Sequence, residues 1–150
     1  SGLRRREERE GVRLRYSDVE SWRVIVQTLP GNVTEADAEA TVKLTAAGER
    51  TIATGEGNGP VNALDHALRK ALLGVYPQIE RFELIDFKVR IMDTAHGTDA
   101  ITRVLIETFD ADAETTWRTV GVGPNVIEAS WEALVDSIVY GLLRAGIDPL

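Results

Sequence analysis

The chain states one pattern twice. A strand-like run ends in Gly55-Glu56-Gly57 and opens onto a helix-like run from Pro60 to about Leu73. Sixty-six residues later a second strand-like run ends in Gly121-Val122-Gly123, and a helix-like run follows from about Asn125 to Leu143. About three strand candidates precede each helix. This duplication predicts an α+β domain of two pseudo-symmetric βββα units, with antiparallel strands and the helices packed on one side. Such a domain offers clefts between its halves and self-complementary surfaces for pairing with a second copy.

The local patterns place the elements. Trp22, Val24 and Val26 alternate with polar residues over 21–27, and Ala40, Val42 and Leu44 do so over 38–44. Ala46-Ala47-Gly48-Glu49 is a hairpin-length turn before a third strand over 50–54, and Pro30-Gly31-Asn32 punctuates the first connection. In the second unit the strand candidates span 82–92, 101–109 and 116–122. Strict alternation over 82–92 puts Phe82, Leu84, Asp86, Lys88 and Arg90 on one face. Glu83, Ile85, Phe87, Val89 and Ile91 lie on the other. Apolar residues recur at helical spacing at Val61, Leu64, Leu68, Ala71 and Leu72, and again at Ile127, Trp131, Leu134, Ile138 and Leu142. Pro60 suits a first helical position, and Gly74 with Pro77 ends that run. The expected organisation is a charged connector over 1–19 and one domain over 20–150, its units spanning about 20–77 and 78–146.

Composition removes several chemistries. There are no cysteines, which excludes thiol catalysis, Cys-ligated metals and disulfides, and fits an intracellular, cytoplasmic protein. A net charge of −7 argues against a nucleic-acid partner, and no apolar run has the length of a membrane span. The two histidines, His66 and His96, form no paired ligand motif; His96 with Asp93 and Asp99 reads as a polar loop rather than a metal site. No serine occupies a strand-to-helix elbow. The glycine bends admit two readings: tight turns with positive φ, or a cradle of backbone N–H groups for a carboxylate or phosphate at a helix N-terminus.

Several segments together carry a resemblance. They are Gly57-Asn58-Gly59-Pro60-Val61-Asn62-Ala63-Leu64-Asp65, Asp86-Phe87-Lys88-Val89-Arg90-Ile91, Gly97-Thr98-Asp99-Ala100-Ile101-Thr102, Trp117-Arg118-Thr119-Val120-Gly121 and Ile127-Glu128-Ala129-Ser130-Trp131. From about Glu20 to Arg144 the chain resembles the C-terminal regulatory domain of the 2-isopropylmalate synthase and citramalate synthase family, with details closer to citramalate synthase. The resemblance implies a homodimer that binds a branched-chain amino acid at its interface, isoleucine first and leucine next. It also implies a parent acyltransferase, (R)-citramalate synthase or 2-isopropylmalate synthase, that condenses acetyl-CoA with a 2-oxo acid. That activity, the divalent metal and acetyl-CoA belong to a catalytic barrel partner of about 250 residues, longer than this chain. The chain itself is then no enzyme and carries no cofactor.

By the same resemblance the effector site draws on Val61, Leu64, Leu84, Phe87 and Ile91 for apolar walls. Thr98, Ala100 and Thr102 sit at a strand entry, Pro124 and Val126 lie at the second bend, and Asp65 or Asp86 accepts from the ammonium. A free amino acid needs these three kinds of contact together. Leu84 falls on the wrong strand face for that wall; a bulge, or the partner subunit, would reconcile it. Two rivals remain open: a dimerisation module without a ligand site, and an enzyme built on His96 and nearby carboxylates.

Overall fold

A computed structural model describes residues 2–27, 37–93 and 100–150, with the side chains of 2–6, 93 and 100 outside the description. Helix α1 (Gly2–Tyr16) leads into strands β1 (Asp18–Val26), β2 (Ala38–Ala46) and β3 (Glu49–Gly57) and helix α2 (Pro60–Leu73). A 3-10 turn (Pro77–Arg81) then enters β4 (Phe82–Asp93), β5 (Ala100–Asp110), β6 (Thr115–Gly123) and α3 (Val126–Arg144). The strands form two antiparallel sheets, β1-β2-β3 and β4-β5-β6. The predicted βββα duplication is the architecture.

Strand alternation builds the core. Ala38, Ala40, Val42, Leu44 and Ala46 turn one face of β2 towards α2, and Val104 and Ile106 do the same on β5 towards α3. Opposite these lie Leu64, Leu68, Leu72, Leu134, Ile138 and Leu142, all buried. The β2–β3 turn uses Ala47 and Gly48, both with positive φ, as a two-residue hairpin of this twist requires.

The duplication extends to register. In the first sheet the rows Trp22–Val42–Ala53, Val24–Ala40–Gly55 and Val26–Ala38–Gly57 run across the three strands. In the second, Phe87–Ile106–Thr119, Val89–Val104–Gly121 and Ile91–Thr102–Gly123 repeat them. Even the irregularity recurs: β1 shifts register between Val19 and Ser21, and β4 between Leu84 and Asp86.

The bend glycines do something other than turn. Gly55, Gly57, Gly121 and Gly123 lie inside β3 and β6, and none has positive φ; only Gly59 does, just before α2. Their role is close approach. A Cβ on Gly55 would stand 2.4 Å from the Ala67 nitrogen, and one on Gly121 would stand 1.9 Å from the Ala129 carbonyl oxygen. Each helix therefore lies almost on the backbone of its strand, with small residues on both sides.

The N-terminal segment is more than a connector. It is helical, and its end belongs to the core: Tyr16 is buried, donates to the Ile147 carbonyl at 2.6 Å, and packs against Tyr76 at 5.6 Å between ring centres. Arg13 bonds Asp136 at 2.7 Å and Glu132 at 2.8 Å on α3, and Arg9 reaches Asp136 at 3.5 Å. The charge run hid this because its apolar contacts, Val12 and Tyr16, fall after it. Burial raises the Asp136 carboxyl above the usual carboxylate range and outweighs the opposing pull of Arg13 and Arg9.

Gly121→Ala should destabilise the fold by about 3 kcal/mol or more, read by urea unfolding, because backbone must move to admit the methyl. Raised in the folded state, the Asp136 carboxyl favours folding while protonated and loses that contribution as pH rises through its titration. Asp136→Asn should therefore gain in Tm relative to the parent chain as pH rises through the acidic range.

Candidate functional site

The bulge in β4 settles which residues share a face. Leu84 pairs with Thr108 before it; after it Phe87 pairs with Ile106, Val89 with Val104 and Ile91 with Thr102. Residues directly opposite in an antiparallel pair share a face. Leu84, Phe87, Val89 and Ile91 thus form one apolar stripe on the helix-side face, reconciled by the bulge as the strand pattern required. Leu84 packs on the core, but Phe87 is 40% exposed, Val89 41% and Ile91 66%. Beyond its first residues β4 runs clear of the helices.

Register brings in further predicted residues. Ile91, Thr102 and Gly123 lie in one row, with Thr102 buried. Pro124 follows directly, exposed, and half-buried Val126 opens α3, whose Asn125 cap accepts from the Glu128 N–H at 2.9 Å. Phe87, Ile91, Thr102, Pro124 and Val126 are therefore grouped by the second sheet and its bend. Ala100 joins this sheet as the backbone partner of Asp93, while Thr98, His96 and Asp99 lie outside the described residues. Asp86 pairs with Glu107, on the face away from the stripe.

Val61, Leu64 and Asp65 stand on the other unit, in the first half of α2. Leu64 is fully buried core and Val61 is 4% exposed. Asp65 is also buried, and Arg69 one helical turn on donates to its Oδ1 at 2.7 Å. The same guanidinium donates to the Phe82 carbonyl, tying α2 to the start of β4. One carboxylate oxygen of Asp65 is thus committed to structure, which the sequence pattern did not foresee.

Comparing the two units shows what was missed. By row, Trp22 is the counterpart of Phe87. Trp22 stacks on Trp131 of α3, ring centres 5.2 Å apart and planes 17° from parallel. The α2 residue corresponding to Trp131 is Asp65, because Ala63 and Ala67 meet Gly55 as Ala129 and Ala133 meet Gly121. Trp22 of the first unit meets Trp131 of the second, and the pseudo-symmetric pair of positions is Phe87 of the second unit and Asp65 of the first. Beside the indoles lies a cleft of about 560 Å³, walled by Val120–Pro124, Glu128 and Glu132 and reached by Arg9. Reading Trp22 and Trp131 as a pair needed the register, since 109 residues of sequence separate them.

Among the described residues no three His, Cys, Asp or Glu side chains gather as a metal site. No helix there is long and apolar enough to cross a membrane.

Comparison with known proteins places this geometry. The family model for the LeuA allosteric (dimerisation) domain matches residues 6–142, and the chain belongs to that family. It is 56% identical over 144 residues to the (R)-citramalate synthase of Streptomyces coelicolor, covering 96% of this chain and 26% of that protein. It is 47% identical over 134 residues to the (R)-citramalate synthase of Aquifex aeolicus, covering 86% and 24%. The 2-isopropylmalate synthase of Aquifex aeolicus is more distant, 33% identical over 105 residues, covering 70% and 18%. The chain spans about a quarter of the length of the citramalate synthases it resembles.

Arg69→Met should cost about 3 kcal/mol by thermal unfolding, since it strands a buried carboxylate and a strand carbonyl. An unchanged Tm would mean that Asp65 does not depend on Arg69.

Proposed function

We propose that this chain is the homodimeric regulatory domain of an acetyl-CoA-dependent, 2-oxo-acid-condensing acyltransferase of the citramalate synthase kind. Its effector is a branched-chain amino acid, isoleucine first and leucine next. The observation that carries this reading is the bare apolar stripe of β4. Phe87, Val89 and Ile91 face the side where α2 and α3 lie, yet stay exposed. An edge strand with that much apolar surface needs a cover, and the family's dimerisation description supplies a second copy.

The chemistry of the surrounding groups fits the ligand. Phe87 and Ile91 offer an aliphatic side chain its wall, the N-terminal end of α3 offers N–H groups to a carboxylate, and the Asp65 carboxylate, whose Oδ1 Arg69 holds, is the acceptor for the ammonium. Trp22 lies beside Gly121–Gly123; the duplication makes Phe87 its counterpart and Gly55–Gly57 the counterpart bend, which supports a contribution from α2 as well as α3 once the partner closes the site. Identities of 56% and 47% to two citramalate synthases, against 33% to a 2-isopropylmalate synthase, support isoleucine over leucine. Inhibition would arise from unequal affinity of the effector for two states of the full enzyme. The divalent metal and acetyl-CoA belong to the catalytic part of that enzyme.

Calorimetric titration of the dimer with isoleucine, leucine and valine tests this. Isoleucine should give saturable heat, and Phe87→Asp should weaken it at least about tenfold. A folded dimer giving no heat with any of the three would leave only a dimerisation module.

A further inference from the structure

The row of residues behind the bare end of β4 holds one polar side chain that the described part of the chain does not use. Thr102 lies on the helix-side face of β5, in the row Ile91–Thr102–Gly123, and is 4% exposed. Two other threonines on the same face of the second sheet hydrogen-bond inside the chain. Thr108 meets the Ser137 hydroxyl, and Thr119 donates to the Ala133 carbonyl at 2.8 Å. The Thr102 hydroxyl has no hydrogen-bond partner among the described residues. Duplication marks it as an addition, because its counterpart in the first sheet is Ala38, in the row Val26–Ala38–Gly57. A buried hydroxyl without a partner is costly and calls for a reason. On one side of it stands the exposed Ile91; on the other Gly123 adds no side chain and leads through Pro124 to the start of α3.

We infer, on the effector reading above, that Thr102 is the specificity-determining residue of the effector wall, its hydroxyl facing the ligand's side chain. A wall of Phe87 and Ile91 alone takes any aliphatic side chain of the right shape. With Thr102 in the row it also takes a side chain that carries a hydroxyl, because each hydroxyl supplies the other's partner. A purely aliphatic side chain covers the Thr102 hydroxyl and leaves it unpaired. The site therefore accepts β-branched amino acids with or without a β-hydroxyl. Valine and threonine are the matched pair, equal in shape and differing by a methyl against a hydroxyl. A wholly apolar wall separates such a pair by about a hundredfold, and Thr102 narrows that margin.

The test is calorimetric titration of the intact chain with isoleucine, leucine, valine and threonine, beside the same titrations of Thr102→Val, which deletes the hydroxyl and nearly keeps the shape. In the parent chain threonine should bind within about tenfold of valine. In Thr102→Val the valine-over-threonine ratio should rise at least about tenfold, isoleucine should bind as tightly or more tightly, and the Tm should hold. Thr102→Ser, which keeps the hydroxyl, should keep the parent's ratio. Threonine outside the tenfold range in the parent, or a ratio that Thr102→Val leaves unchanged, overturns the inference while the effector reading stands. A Thr102→Val variant that loses Tm or fails to fold overturns it too, since the hydroxyl then has its partner inside the chain. No heat from the parent with any of the four amino acids fails the effector reading itself, and the inference with it.

Discussion

The molecule depends on how closely each helix lies on its third strand. Gly55 and Gly57 bring α2 down onto β3, and Gly121 and Gly123 bring α3 down onto β6, with alanines as the facing layer. At Gly55, Gly57 and Gly121 a single methyl cannot be absorbed by side-chain motion, because backbone atoms are what it meets. The close approach fixes the helix axes relative to the strands. It thereby fixes where each helix N-terminus and each bend stand. The cleft beside the second bend takes its shape from that placement.

Symmetry alone would make two equal clefts, and a few side chains break it. Trp22 and Trp131 close one against each other, and α1 clamps the adjoining surface through Arg13, Glu132 and Asp136. At the pseudo-symmetric place Phe87 of the second unit has no ring partner among the described residues, Asp65 of the first stands where an indole would, and β4 extends bare. Duplication thus provides one surface finished by the chain itself and one left for a partner and a ligand.

Much of this was legible in the sequence because strand alternation, helical spacing and repeat length are local signals. Both α2 and α3 fall within a residue or so of their predicted bounds, and the strands of the second unit likewise. The glycine bends were visible but their purpose was not: turn propensity and close approach both select glycine, and only the facing Ala129 and Ala67 decide between them. Leu84 needed a bulge that alternation cannot show. Asp65 read as a free acceptor because Arg69, four residues on, gave no sign that it would bridge to Phe82. The role of Tyr16 at the end of α1 was hidden behind a run of charges.

Whether a second copy covers the apolar stripe of β4, with an amino acid held against it, is decided by a crystal structure grown with isoleucine. The expected result is a twofold dimer with the ligand's aliphatic chain against Phe87 and Ile91 and with both protomers in contact with it. A dimer that leaves those side chains bare, with isoleucine bound elsewhere or not at all, would refute the proposed role of β4.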